Sequence, residues 1–347
     1  MLDTVAPTVC LTAPTPLDDG PLDDGPIALL SLSLRYRRLC SKTEITSVGI
    51  SPSSASAFAT YAAPQTAQPW IDFFDLSSQR GYTKAAGSHA VFGPPGAGGS
   101  RVATLRDWTV QLGQGVEYHH GSTVMVRDFA TGKTAVELKE ATSGPVVWSR
   151  DGGALAAGEG RNRLGVWDVR SGARLGRVVG HIDEVTHAAF TPDRSLVTLS
   201  RDGTVRLTDS RTARTLSRLE IEGSTNPRAL AVSPDGRSVV SLWGTTVHIW
   251  LPQTSHLTSY DLRATRRAEG WPLAVSPDGR WMACRTEAGF DVVDVASGRV
   301  AWERDEGEDA YASGMVTAAA FSTIGRVLLL GRMNGAVEVW EVEEKTG

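Results

Sequence analysis

The 347-residue sequence is poor in cysteine and in long apolar runs. Its three cysteines, Cys10, Cys40 and Cys284, are an odd number whose spacing fits neither a disulfide framework nor a zinc site. No apolar run approaches the ~18 residues of a membrane-spanning helix, and the N-terminus lacks the basic start and apolar core of a secretion signal. We therefore expect a cytoplasmic protein that makes no membrane contact.

Lysine is also scarce, since only 5 of the 35 lysines and arginines are lysine. The formal net charge is -4 and the pI is about 6.0, so the whole chain has no attraction to nucleic acid or anionic lipid. Any electrostatic partner must meet a local patch of charge. We therefore expect no nucleic-acid partner.

A short sequence motif recurs seven times along the chain. Its clearest copies read A-V-S-P-D-G at 231–236 and 274–279, and each lies between two apolar strands. Weaker copies begin at Ser51, Gly93, Ser149, Thr191 and Ser322, at intervals of 42 to 56 residues. Periods of this size are typical of stacked supersecondary units.

A second sequence motif recurs in phase with the first. It begins with an aspartate in its five best copies, at Asp75, Asp128, Asp168, Asp209 and Asp294. Between these motifs, apolar runs of 4 to 8 residues alternate with clusters of Gly, Asp, Ser and Pro, which is the signature of strands and tight turns. Seven units of four antiparallel strands predict an all-β, seven-bladed β-propeller.

The repeats also predict the domain boundaries. We expect a flexible tail over residues 1–26, which holds P-L-D-D-G at 16–20 and again at 21–25, followed by one propeller over residues 27–347. The alternative for the tail is that its four aspartates recruit a cation or a basic partner. The blades are predicted at about 45–84, 88–140, 143–180, 185–221, 227–262, 271–306 and 315–345.

The last blade is the one that lacks a strand. Only residues 342–347 follow its third strand, whereas residues 27–38 alternate apolar and polar side chains ahead of the first unit. We predict that residues 27–38 supply the missing outer strand and close the ring, because an open edge invites aggregation.

These repeats resemble the WD-repeat (WD40) family in its degenerate bacterial form, over residues 27–345. The residues that carry the resemblance are Gly180-His181, the run from Ser200 to Asp209, and Val166-Trp167-Asp168. In that family a His, a Ser or Thr, an Asp and a Trp hydrogen-bond across a blade. The resemblance implies that His181, Ser200 and Asp202 form such a structural network, with Thr208 in place of the Trp. Because no blade keeps all four residues, we expect closure to rest on sheet pairing and apolar packing.

Motifs for catalysis or for a cofactor are weak. The run from Gly93 to Ser100 has the glycines of a phosphate-binding loop, but Gly99 stands where that loop needs its lysine. His119 and His120 are adjacent, so on a strand they point to opposite faces and cannot share a metal. No Ser-His-Asp signature is present. We expect no catalytic residue, no metal and no cofactor.

Arginines and tryptophans recur where the second strands end, at places that open on one end of a propeller. These residue types dominate binding hot spots. The candidate partner-binding residues are Arg161, Arg163, Arg201, Trp243, Trp271, Arg285 and Arg332. The hypothesis is that this end binds an acidic or phosphorylated peptide, and the alternative is that these are solvated turn residues.

The sequence thus favours a non-catalytic protein–protein interaction platform, acting as a scaffold, adaptor or sensor module. We expect a monomeric propeller, either free-standing or within a larger complex. Two alternatives stay open: a hydrolase or lactonase-like enzyme with inward-facing His, Asp or Glu at the central channel, and a small-ligand sensor.

Overall fold

The computed structural model describes residues 8–11, 30–62, 69–94, 101–112, 117–129, 131–221, 223, 226–261, 271–286, 289–306 and 314–344, with the side chains of 8–11, 107–121 and 271–272 left outside that description. Every regular element in these ranges is a β-strand. Across the same ranges, no helix is long and apolar enough to cross a membrane.

The strands form seven antiparallel sheets of four, which we call blades 1 to 7, and one additional strand joins the outer edge of one of them. The chain begins with β1 (Thr8–Leu11) and β2 (Leu30–Leu39). Blade 1 contains β3 (Ile45–Ile50), β4 (Ser56–Ala62), β5 (Pro69–Asp75) and β6 (Gly81–Ala86). Blade 2 contains β7 (His89–Phe92), β8 (Arg101–Leu112), β9 (Glu117–Asp128) and β10 (Thr134–Leu138). Blade 3 contains β11 (Ser143–Trp148), β12 (Ala154–Gly158), β13 (Leu164–Asp168) and β14 (Arg174–Val178).

The second half of the ring follows the same plan. Blade 4 contains β15 (Val185–Phe190), β16 (Ser195–Ser200), β17 (Thr204–Asp209) and β18 (Thr215–Ile221). Blade 5 contains β19 (Pro227–Val232), β20 (Val239–Trp243), β21 (Thr246–Leu251) and β22 (His256–Asp261). Blade 6 contains β23 (Trp271–Val275), β24 (Trp281–Arg285), β25 (Gly289–Asp294) and β26 (Val300–Asp305). Blade 7 contains β27 (Val316–Phe321), β28 (Val327–Arg332) and β29 (Ala336–Glu344), with β2 as its fourth strand.

The first strands of the blades surround the axis. Each contacts the first strand of the next blade, and β27 of blade 7 returns to β3 of blade 1. The predicted seven-bladed all-β propeller is therefore confirmed.

The last blade is closed by the N-terminal strand, as predicted. β2 pairs antiparallel with β29 from Leu30 opposite Glu344 to Leu39 opposite Ala336. Blade 7 thereby joins two segments that are distant in the chain, so β29 is paired on both sides and β2 becomes the outer strand of the blade.

β1 is an addition that the repeats do not predict. It pairs parallel with β18, with Thr8 opposite Arg218 and Leu11 opposite Ile221, so it forms a fifth strand on blade 4. The rest of the predicted tail lies outside the described residues, and there the tail stays a prediction.

Hydrogen bonds within turns explain why the residues of the two sequence motifs recur. In blade 5 the Ser233 hydroxyl donates to Asp235 at 2.6 Å and accepts from the Ser238 amide at 3.0 Å, which closes the turn around Gly236. In blade 3 the Asp168 carboxylate accepts from the Ser171 amide at 2.8 Å. The hydrogen bonds from Ser171 lower the pKa of Asp168. The recurring aspartates are therefore turn residues, as the sequence indicates.

The core lies between the blades. Val197 and Leu219 of blade 4 pack with Trp243 and Trp250 of blade 5, and equivalent clusters fill the other junctions. Near the axis the space is smaller, since a Cβ on Gly49 would come within 2.3 Å of the Phe58 ring. Small residues inside and tryptophans further out follow from this taper.

Candidate functional site

The hairpins between second and third strands open on one end of the ring, which we call the hairpin end. The arginines predicted from sequence lie at or just after the ends of β12, β16, β24 and β28, so the topology places all of them at this end. Their exposure differs, and the register explains why. In blades 5, 6 and 7 the second-strand residue paired with the start of the first strand is Trp243, Arg285 and Arg332, respectively. In blade 4 the residue at this position is Ser200, which pairs with Val185.

Arg201 therefore lies one residue beyond the position of Arg332. A shift of one residue turns a strand side chain to the other face. The prediction that Arg201, Arg285 and Arg332 occupy matching places is wrong by this one residue. The residue that matches Arg201 in blade 7 is Met333, which is 44% exposed.

Arg332 is buried, with 1% exposure. Its Nη1 donates to Glu306 Oε2 at 2.9 Å and to the Gly314 carbonyl at 2.8 Å, and its Nη2 donates to Glu338 Oε2 at 2.9 Å. Burial acts to lower the pKa of Arg332, but the bonds to Glu306 and Glu338 outweigh it and raise that pKa. Arg332 is thus a structural residue, and its prediction as a surface contact is wrong.

Trp243 is buried as well, with 2% exposure, and its Nε1 donates to Ser241 Oγ at 3.3 Å. It fills the junction of blades 4 and 5, so its predicted role in partner binding is also wrong. Arg285 is half-buried and interacts with a neighbouring group. The side chain of Trp271 lies outside the described residues, although its backbone pairs with Arg285 at the hairpin end.

The structural network implied by the resemblance is present in blade 4 with one substitution. His181 Nδ1 lies 3.0 Å from Asp202 Oδ2, and His181 Nε2 lies 2.8 Å from the Thr198 hydroxyl. Within the described residues Ser200 is not hydrogen-bonded to the His181 ring; its hydroxyl donates to the Asp183 carbonyl at 3.0 Å and accepts from the Asp202 amide at 3.2 Å. Thr198 lies two residues before Ser200 on β16, so both side chains point to the same face of the strand. The repeated pattern alone therefore could not show which of the two bonds to His181.

Burial and hydrogen bonding act together on the pKa values of this network. Desolvation lowers the pKa of His181, although the Asp202 carboxylate opposes the shift. Burial acts to raise the pKa of Asp202, but its hydrogen bonds with His181 and Thr204 outweigh this, and the pKa is lowered. Thr208, which replaces the family's Trp, is fully buried, and its hydroxyl has no partner within the described ranges.

The network fixes a continuous surface at the junction of blades 3 and 4. We call it the blade 3/4 surface, and it consists of three segments: 159–163, 181–185 and 200–202. The Asn162 side chain donates to the His181 carbonyl at 3.1 Å, and the Val185 amide donates to the Arg161 carbonyl at 2.8 Å. The Arg201 amide donates to the Glu184 carbonyl at 2.9 Å. These bonds join three loops into one rigid unit.

The blade 3/4 surface presents one apolar side chain among charged side chains of both signs, since Asp183 is exposed beside the arginines. Ile182 is 86% exposed, although its amide is held by Asp202 Oδ2 at 3.0 Å. Arg161 and Arg163 are exposed, and within the described ranges neither forms an ion pair. Arg201 is exposed and lies 3.2 Å from Glu184. Ile182 was missed from sequence, although an apolar residue directly after Gly180-His181 in a loop is a usable signal.

Two observations bear on metal and phosphate binding in the described residues. No cluster of three or more His, Cys, Asp or Glu side chains that could hold a metal ion occurs there. The side chains of His119 and His120 lie outside the description. The glycine-rich run at 93–100 is followed by strand β8, whereas a phosphate-binding loop needs a helix at that point.

Comparison with known proteins agrees with this architecture. The family described as WD domain, G-beta repeat matches residues 172–209, which run from the outer strand of blade 3 to the third strand of blade 4. No curated protein matches the chain. The matched repeat contains His181 and Asp202, and the same unit recurs around the ring. The chain therefore contains a repeat of the WD domain, G-beta repeat family within a seven-bladed β-propeller.

Proposed function

We propose that the protein is a non-catalytic platform that holds another protein or a peptide on the blade 3/4 surface. WD40 propellers commonly serve as protein-interaction platforms, which supports the proposal. The observation that carries it is an exposed isoleucine, Ile182, whose backbone is immobilised by a buried carboxylate. A rigid surface loses little conformational freedom on association, so more of the contact energy appears as affinity.

The side chains around Ile182 support the same conclusion. Arg161, Arg163 and Arg201 are exposed near it, and arginine is enriched in binding hot spots. An apolar centre within a charged rim is the usual arrangement of a protein interface.

The proposal is tested with two matched variants, Ile182→Asp and Ile324→Asp. Ile324 is 66% exposed and lies in the turn between β27 and β28, on the opposite end of the ring. Proteins captured by the full chain from a lysate of the source organism are identified, and their dissociation constants are measured by calorimetry. We expect Ile182→Asp to weaken the genuine partner at least tenfold, or ~1.4 kcal/mol, and Ile324→Asp to leave it unchanged. Equal affinities for both variants contradict the proposal.

Arg332 is left intact in this test, because it is buried. Loss of Arg332 would remove the one buried partner of Glu306 and Glu338, leaving them the partly exposed Arg304 and Arg37, and would weaken binding through unfolding. Arg201→Ala alone is the appropriate charge variant.

A further inference from the structure

The hairpin of blade 3 separates two hollows at the hairpin end. The outer hollow has a volume of about 440 Å³, and its lining includes Arg163, Arg174 and Arg177. The inner hollow has a volume of about 360 Å³, and its lining includes Arg161 and Glu184. Both hollows share Thr142 and Gly160 as lining residues, so they are neighbours across one short loop.

The charges of the outer hollow are only partly compensated. Glu159, with a side chain 6% exposed, lies 3.2 Å from Arg174 and also pairs with Arg177, while Glu140 lies 2.6 Å from Arg174. Three arginines against two glutamates leave one positive charge in this lining. In the described part of the chain, Arg163 is the arginine of this group without an ion pair.

The inner hollow has a similar balance. Its lining includes the exposed Arg161, whereas the carboxylate of Glu184 is engaged by Arg201 at 3.2 Å. Each hollow therefore offers one arginine that is not paired with a carboxylate of the described chain.

The loop segment between the two hollows has no side chain at Gly160, which lines both of them. A Cβ on Gly160 would meet no atom within 4 Å, and its φ of +92° is a conformation that other residues rarely adopt. A partner's main chain can therefore approach the hairpin closely at this point.

We infer, on the basis of the proposed function, that the partner presents an extended acidic segment that crosses the blade 3 hairpin at Gly160. One carboxylate of the segment enters the outer hollow and pairs with Arg163, and a second enters the inner hollow and pairs with Arg161. Arginine and carboxylate form strong charge-assisted hydrogen bonds of matching geometry. A single positive charge in the outer hollow suits a carboxylate better than a phosphate, which carries about -1.5 to -2.

The test selects peptides from a random 12-residue display library on the full chain. The selected peptides are synthesised, and their affinities are measured by fluorescence polarisation with the wild type, Arg161→Ala and Arg163→Ala. Arg170→Ala is the matched control, since Arg170 is exposed in the turn between β13 and β14 on the opposite end.

We expect the selected peptides to share two acidic residues at a constant separation. Replacing either by its amide should weaken binding by five- to twentyfold. One replacement should have no further effect in Arg161→Ala and the other none in Arg163→Ala, while Arg170→Ala binds like the wild type. Replacing either acid by phosphoserine should not strengthen binding.

Several outcomes overturn the inference: selected peptides without a pair of acids, acids that do not couple to the two arginines, or a stronger phosphopeptide. If peptides without acids bind and are lost in Ile182→Asp, the inference fails while the proposed function stands. If the selected peptides bind Ile182→Asp, Arg161→Ala and Arg163→Ala as tightly as the wild type, both fail. A library that yields no binder also counts against the inference.

Discussion

Blades 4 and 7 have hairpins of equal length between their second and third strands, but they hold these hairpins by different chemistry. Blade 4 uses His181, Asp202 and Thr198. Blade 7 uses Arg332 between the buried carboxylates of Glu306 and Glu338. In both blades the incoming loop is fastened to the second strand of the next sheet. The comparison shows that a degenerate repeat can lose its hydrogen-bonding residues and still keep the connection they made.

The largest effect should come from breaking the blade 7 cluster. Arg332→Ala leaves Glu306 and Glu338, whose side chains are 5% and 4% exposed, without their buried partner. Removing one member of a buried ion pair costs about 3–5 kcal/mol of the free energy of unfolding. Denaturant unfolding measures the loss, with the exposed Arg326→Ala as the control. A loss below about 1 kcal/mol would mean that blade 7 does not depend on this cluster.

Blade 5 differs from blades 4 and 7, because its buried histidine should make the protein less stable in acid. Both ring nitrogens of the buried His248 lack a hydrogen-bond partner in the described chain, and burial lowers its pKa to about 4. Because the unfolded chain binds the proton near pH 6.5, stability should be lost as the pH falls from about 6.5 and should level off below about 4.

This loss amounts to about 3 kcal/mol at most for one such group. His187, whose pKa burial also lowers to about 4, should add to it. His248→Gln should flatten the decline in chemical stability across this window, whereas His256→Gln, at the exposed start of β22, should not. An unchanged decline in His248→Gln would exclude His248 as the cause.

A smaller effect separates the two candidate residues of blade 4. Thr198→Val removes the partner of His181 Nε2 in a buried place and should cost about 1–2 kcal/mol. Ser200→Ala removes two part-buried hydrogen bonds, to the Asp183 carbonyl and from the Asp202 amide, and should cost less. Thermal unfolding of both variants gives the order, and the reverse order would restore Ser200 as the network residue.

The smallest effect is expected at Arg201, one residue beyond the position of Arg332. Its ion pair with Glu184 is exposed, and such pairs contribute about 0–1 kcal/mol. Arg201→Ala should therefore leave the unfolding midpoint almost unchanged. A loss comparable to that of Arg332→Ala would remove the distinction between the two positions.

The sequence predicted the repeat, the seven blades and the closing strand at 27–38, because strand periodicity and turn chemistry are local. It also placed the arginines at the correct end of the ring. It did not predict which of them are buried, since the burial of Arg332 depends on Glu306 from a different blade. Thr198 was missed for a related reason, because alternation gives the face of a strand and not the depth along it. Ile182 stands in an irregular loop, where periodicity carries no information.

The most direct test of the binding surface is amide hydrogen exchange of the full chain with and without its captured partner. We predict slower exchange in residues 159–163, 181–185 and 200–202, and unchanged exchange in the turn at 233–238 on the opposite end. Protection confined to that opposite end, or none at the blade 3/4 surface, would contradict the account.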